Sequence, residues 1–339
     1  MRDLAKVPKA HLHLHFTGSM RIGTLEDLAR QAGRRLPEAL LVDQPLRLPS
    51  GQRGWFRFQR LYDLARSVVR TEAHLRRIVR EAAIDDAAEG SRRLELQIDP
   101  TPYARHLGGI TPVTGIVLDE AKTASAQTGV QVAIVVAASR RRSPFDARAL
   151  ARLAARHAGD GPGDVVGFGL SDDEAQGVTA EFAPAFRIAR RAGLACVPHG
   201  GELLGAAHVA SVLHWLRPDR LGHGVRAVED PSVVRRIVDD GVALEVCPLS
   251  NVSLGVFERP VDVPLRGLVA AGVTVALGAD DPVIFGTRLV DQYRSARIDH
   301  GLSDADLAGL ARGSIAASRA SAEAKGRWTR EVDDWLGQV

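Results

Sequence analysis

The sequence predicts an α/β fold, a (β/α)8 barrel of the TIM type with a helical insertion after its first strand. Two observations carry this prediction. Eight short apolar runs, at 10–15, 94–98, 130–137, 165–170, 195–198, 220–222, 243–246 and 273–277, alternate with longer stretches in which apolar residues recur at three- and four-residue spacing. Polar residues that no core selects then cluster just after several of these runs, as they do where barrel strands end at a common mouth. The 339 residues suffice for a large core, and residues 1–339 read as one barrel domain.

The first run, His11-Leu12-His13-Leu14-His15, alternates imidazoles with leucines. In a regular strand alternate side chains share a face, so all three imidazoles are expected on one side. Neutral imidazole is the commonest metal ligand, which makes this face a candidate site. The turn Phe16-Thr17-Gly18-Ser19 ends the run. Roughly eighty residues then precede the second run, far more than one crossover helix needs. Helical patterns at 25–32 and at Trp55-Phe56-Arg57-Phe58-Gln59-Arg60-Leu61 occupy this interval. An insertion here, at about 20–90, lies at the mouth and is expected to cover it as a lid. Helical patterns at 75–88, 116–125, 147–157, 182–192, 206–216, 231–239 and 265–271 supply the crossovers, and 303–336 reads as helices closing the barrel.

Composition excludes several function classes. A net charge of +3, with no basic run interleaved with aromatics, argues against a nucleic-acid surface. No apolar run approaches membrane-spanning length, and Met1-Arg2-Asp3-Leu4 carries no apolar leader, so a cytoplasmic protein with no membrane partner is expected. Cys196 and Cys247 lie in apolar runs and offer neither a disulfide framework nor a Cys-x-x-Cys metal site. Nothing in the chain sets an oligomeric state, which leaves a homo-oligomer open.

The polar clusters at the run ends are His13 and His15, Ser171-Asp172-Asp173-Glu174, His199-Gly200-Gly201-Glu202, Gly222-His223-Gly224 and Asp280-Asp281-Pro282. Each alone has a plain structural reading as a hairpin face, a turn or a helix cap. All five in register with the strand count point to a metal site. Three imidazoles and one carboxylate suit a single Zn2+ per chain, with positions left for water. Glu202, three residues past a ligand, is suited to general-acid work if an apolar pocket keeps it protonated. His223 could orient the water or take its proton. Consecutive side chains diverge, so one of Asp280 and Asp281 should meet the metal and the other the substrate.

These residues resemble the adenosine deaminase family of metal-dependent hydrolases. The matching phrases are Lys9-Ala10-His11-Leu12-His13-Leu14-His15-Phe16-Thr17-Gly18-Ser19, His199-Gly200-Gly201-Glu202, Arg220-Leu221-Gly222-His223-Gly224, Cys247-Pro248-Leu249-Ser250-Asn251 and Gly278-Ala279-Asp280-Asp281-Pro282. The resemblance implies a zinc-dependent deaminase of a 6-aminopurine nucleoside, in which water attacks C6 and ammonia leaves. It implies metal ligands His13, His15, His199 and Asp280, with Glu202 as proton donor to purine N1. It implies His223 as the residue that activates the water, and Asp281 as the partner of N7. His15, Thr17, Asp172, Gly201 and Asp281 would face the substrate. His11 falls where the family usually has Glu and is set aside as a ligand.

The departures concern the sugar side. Thr17 stands where the family's Asp binds the ribose 5′-hydroxyl. Asp172 stands where a Gly offers its backbone N–H to purine N3, and Gln97 replaces an Arg. An unpaired buried carboxylate is costly, so its replacement by Thr17 suggests a substrate without a free 5′-hydroxyl. A 5′-modified adenosine such as 6-aminodeoxyfutalosine, an intermediate of menaquinone biosynthesis, fits that expectation. Its carboxylate would seek an Arg, with Arg53, Arg57 and Arg60 as candidates, while Trp55, Phe56 and Phe58 could stack on its ring. The alternatives are adenosine, free adenine, and a non-catalytic binding protein on the same scaffold. A cytidine-deaminase-type site is excluded because its Pro-Cys-x-x-Cys phrase is absent.

Overall fold

A computed structural model describes residues 1–41 and 46–337. Its eight strands are β1 (Lys9–His15), β2 (Ser91–Ile98), β3 (Gln131–Ser139), β4 (Val165–Ser171), β5 (Ala195–Gly200), β6 (Arg220–His223), β7 (Ala243–Val246) and β8 (Val275–Leu277). All eight coincide with expected runs. The last begins later than its apolar run because the Val273 N–H bonds to the Leu268 carbonyl and finishes the preceding helical turn. The strands pair in sequence order and in parallel. A bridge between Leu14 and Asp280 joins the last strand's end to the first. Its hydrogen bonds run from His15 N–H to the Asp280 carbonyl (3.0 Å) and from Asp280 N–H to the His13 carbonyl (3.1 Å). Barrel closure itself therefore sets the β1 histidines beside Asp280.

Helices α1 (Ile22–Gln31), α2 (Gln52–Ser67) and α3 (Glu72–Ala88) follow β1. Crossover helices at Ile110–Thr128, Pro144–Arg156, Thr179–Arg191, Ala206–Trp215, Pro231–Asp239 and Leu265–Ala270 then alternate with the strands, and Asp304–Ala317 and Ala322–Gly337 finish the chain. Several starts are set by local chemistry. Ser143 and Asp230 accept a backbone N–H ahead of Pro144 and Pro231, prolines that suit a first helical turn. Among the described residues no helix is long and apolar enough to cross a membrane.

The main core lies between the strands and the helices. Leu94, Leu96, Val132, Ile134, Leu221, Leu244 and Val246 join it, so the residues alternating with them point into the barrel. That interior carries charge: Arg220 donates to Glu245 (2.6 Å) and Glu95 (2.7 Å), and Arg93 donates to Glu95 (3.2 Å). All four are buried. Burial pushes Glu95 and Glu245 up, but their arginine partners outweigh it and hold both below the usual value of 4.5.

The first strand departs from regular alternation. His11 pairs with Leu94 and Leu14 with Leu96, so β1 spends one residue more than β2 over this stretch, a bulge. Parallel partners point to the same side. His11 accordingly leaves the barrel with Leu94, while His15 enters it with Gln97. The expectation of three imidazoles on one face is corrected: His11 meets Asp86 of α3 through Nδ1 (2.9 Å) and accepts the Ala279 N–H at Nε2 (3.0 Å). Both its nitrogens are occupied structurally.

Candidate active site

The imidazoles of His13, His15, His199 and His223 gather where β1, β5 and β6 end. Ring centroids lie 5.1 Å apart for His13 and His15, 4.9 Å for His13 and His199, and 4.7 Å for His13 and His223. Ligand atoms of His13, His15 and His199 all fall within 4.8 Å of one another. Asp280 Oδ1 approaches His15 Nε2 at 3.2 Å and His13 Nε2 at 3.6 Å. Gly222 makes the crowding tolerable: a Cβ there would sit 2.7 Å from His199 Cδ2.

These residues fit a divalent cation on structural grounds. His13 Nε2 is buried and finds no hydrogen-bond partner among the described residues. Its Nδ1 is held by Glu245 (2.8 Å), the carboxylate–histidine pairing that orients an imidazole toward a metal. Burial alone would lower His13, yet the nearby carboxylates of Asp280 and Glu245 raise it to about 10, so the site favours positive charge. His199 moves the other way, well below the ordinary histidine value, through burial and the neighbouring imidazoles. Asp280 is held well below the carboxylate range against its burial, by hydrogen bonds from His13 and His15. Glu245 has no polar cluster around it in the sequence; only its inward register on β7 reveals it.

The cavity above this cluster is lined by His15, His199, Glu202, His223, Asp280 and Asp281 on one side of its chemistry. Glu202 Oε1 accepts from Asn251 Nδ2 (3.0 Å) and lies 3.4 Å from His223 Nδ1. Burial, then the charges of Asp280 and Glu174, push the Glu202 carboxyl well above its usual range. Burial and Asp280 do the same to Asp281, whose Oδ1 has no partner among the described residues. Gly18 is required beside it, because a Cβ there would fall 1.9 Å from Asp281 Oδ1. His223 is lowered to about 4 by burial and by His13. Four non-glycine residues among those described have positive φ, and three of them, Asp172, His223 and Asp280, line this cavity. Backbone in that region is uncommon and concentrates at functional positions.

The remaining wall comes from Thr17, Gln97, Tyr103, Ser139, Asp172 and helix α2, through Trp55, Phe58, Gln59, Tyr62 and Arg66. The hydroxyls of Thr17 and Tyr103 bond to each other, and both residues are buried. The Asp172 carboxylate accepts from Ser139 (2.8 Å). Gln97 reaches His15 Nδ1 (3.2 Å) and His199 Nε2 (3.4 Å). Three expectations are corrected here. Arg53, Arg57 and Arg60 are exposed on α2 and do not line the cavity; Arg66, one face round, does. Phe56 is also exposed, while Trp55 and Phe58 face inward, as the helical period of α2 dictates. Gly201 does not line the cavity either. Its φ of +80° and the 2.4 Å that would separate a Cβ from Val209 make it a turn residue.

Comparison with known proteins agrees with this geometry. The family model described as adenosine deaminase matches residues 8–335. A protein of Streptomyces coelicolor provisionally named adenosine/adenine deaminase is 54% identical, covering 99% of this chain and 98% of that one. An adenine deaminase of Rhizobium leguminosarum is 35% identical over 91% of this chain and 94% of its own. The crystal structure of an adenine deaminase from Arthrobacter aurescens superposes with a TM-score of 0.88 at 29% identity, covering 98% and 99% of the two chains. The chain belongs to the adenosine deaminase family. It is a hydrolase of that type, acting on carbon–nitrogen bonds of purine compounds.

Proposed function

For this member of the adenosine deaminase family we propose zinc-dependent hydrolysis of the 6-amino group of a 6-aminopurine, with the free base adenine as the preferred substrate. The observation that carries the choice of substrate is Asp172. By the family pattern this position faces purine N3, beside N9. A nucleoside carries its sugar on N9, whereas free adenine carries an N–H there and needs an acceptor. Asp172 puts a carboxylate on that wall: Oδ2 accepts from Ser139 (2.8 Å) and Oδ1 from the Asp173 N–H (3.0 Å), and each oxygen has a second lone pair to offer a substrate N–H. Thr17 supports the same reading, because its hydroxyl is already bonded to Tyr103 rather than left free for a sugar hydroxyl. The relatives named adenine deaminases are consistent with it.

His13, His15, His199 and Asp280 would hold the zinc ion. When bound, the ion lowers the pKa of water toward neutrality and polarises the reacting centre. The protein's own groups supply the rest. Glu202, whose carboxyl burial pushes well above its usual range, gives its proton to N1, which makes C6 electrophilic. His223, neutral because burial lowers it to about 4, can accept a proton from the attacking water. Asp281, whose carboxyl burial likewise pushes up, donates to the N7 lone pair through Oδ1, which has no partner among the described residues. Helix α2, with Trp55 and Phe58, acts as the lid that excludes bulk water. Water and adenine become hypoxanthine and ammonia.

A second reading, a 5′-extended adenosine such as 6-aminodeoxyfutalosine, is favoured by Arg66, which brings a guanidinium to the cavity wall. Loss of adenine absorbance with adenine, adenosine, 5′-deoxyadenosine, methylthioadenosine and aminodeoxyfutalosine separates the readings. Adenine is expected to give the highest kcat/KM, by about 100-fold or more over adenosine. A higher value for adenosine overturns the free-base reading, and a highest value for aminodeoxyfutalosine replaces it with the second.

A further inference from the structure

We propose that Glu174 is a positioning residue for the proton donor Glu202, clamping the loop that carries it, with Arg226 closing the clamp from the solvent side. The inference rests on the reading of Glu202 as the proton donor. Residues 201–204 belong to no helix or strand, so no ladder of backbone bonds fixes them. One buried carboxylate does so instead. Glu174 accepts the three consecutive amides of Glu202 (3.1 Å), Leu203 (3.0 Å) and Leu204 (2.8 Å). Successive N–H groups converging on one anion form a nest. Arg226 donates to the Leu203 carbonyl and is itself paired with Glu229 (2.6 Å). His208 Nδ1 lies 3.6 Å from the same carboxylate.

The geometry links this clamp to the chemistry rather than to the fold in general. Glu174 follows β4 and Glu202 follows β5, so the clamp ties two neighbouring strand ends at the mouth. Arg140, buried beside them, donates to the carbonyl of His199 (3.2 Å) and fixes the other end of the same segment. Glu202 is left with Oε1 held by Asn251 and its carboxyl aimed into the cavity. A shift of about 1 Å in a catalytic group costs about 100-fold in rate, and the other restraints on this loop come from Arg226, whose backbone N–H bonds the Gly201 carbonyl (2.9 Å) and whose guanidinium bonds the Leu203 carbonyl.

Glu174→Gln keeps the volume and one acceptor oxygen but loses the second acceptor and the charge. Purified with one metal ion per chain, it is expected to lose about 100-fold in kcat with KM changed by less than about threefold. The deciding comparison repeats the substitution in a Glu202→Gln background, assayed at high enzyme concentration. With the proton donor already removed, Glu174→Gln should cost less than about threefold. An equal loss in both backgrounds marks a merely structural residue and overturns the proposal, as does a single variant within about threefold of the parent. Full activity of Glu202→Gln alone overturns the proton-donor reading itself and this inference with it. Arg226→Met unhooks the loop at Leu203 without touching the core, so the same cycle can be run even if Glu174→Gln does not fold. A loss of about tenfold that vanishes in the Glu202→Gln background supports the clamp, and an equal loss in both backgrounds overturns it.

Discussion

The imidazole end of the cavity and the wall formed with α2 are built from different material. His13, His15, His199, His223 and Asp280 stand at the ends of strands in one sheet, and the hydrogen bonds that close the barrel also join β1 to Asp280. Their positions follow from the fold. Trp55, Phe58, Tyr62 and Arg66 come from a helix inserted after β1, and Thr17, Tyr103 and Asp172 from loops. Nothing in the barrel's closure dictates these. On the proposed function, reaction chemistry resides where the backbone is most constrained, and substrate choice where it can vary with little cost to the fold.

The sharpest way to break the comparison is at the metal. Dialysis against a chelator is expected to abolish turnover, and added Zn2+ to restore it. Activity that persists in protein shown by elemental analysis to be metal-free would contradict the site. Next in size, Glu202→Gln should retain metal and lose about 1000-fold in kcat, within the range of a lost general acid. Glu245→Gln leaves every ligand in place but loosens the orientation of His13. Metal affinity should fall about 10- to 100-fold, read by competition with a chromophoric chelator. Unchanged affinity would remove Glu245 from the site. On the other wall, Asp172→Gly should shift the ratio of kcat/KM for adenine over adenosine toward adenosine by about tenfold, at unchanged metal content. A uniform loss on both substrates would place Asp172 in the general scaffold.

The last test leaves activity aside and concerns stability. Glu95 and Glu245 have folded-state values below 4.5, so their contribution is present above that pH and is lost as pH falls through the folded values. The melting temperature should decline below about pH 4.5. Arg220→Met removes the guanidinium shared by the two carboxylates, leaving Glu95 to Arg93 and the Arg319 amide and Glu245 to His13; it should destabilise by about 3 kcal/mol at neutral pH. The deficit should shrink in acid, where those carboxylates protonate. A deficit independent of pH would assign the loss to packing instead.

Much of the site was legible in the chain because strand ends of a barrel converge. Once the eight apolar runs were counted, His13, His15, His199, Glu202, His223, Asp280 and Asp281 fell at one mouth without any tertiary information. Asp172 and Thr17 stood out only against the pattern of the family that the chain resembles. Glu245 was hidden inside an apolar run, where a charged residue at an inward position looks like any strand residue. Glu174 sat in a cluster already noticed, but its bonds to three amides twenty-eight to thirty residues away carry no local signature.

Sequence by itself determined the fold class, the strand positions and which polar groups meet at the mouth, because periodicity and residue chemistry are local properties of the chain. Tertiary structure decided the rest. A bulge in β1 turned His11 out of the barrel, since register depends on the pairing strand and not on alternation alone. The phase of α2 put Arg66 and not Arg53, Arg57 or Arg60 at the cavity, because a helix's inward face is set by what it packs against. The same physics made Gly201 a turn rather than a wall, and gave Glu245 and Glu174 their partners. Each depends on which distant backbone or side chain arrives beside a residue, and that is settled only when the barrel closes.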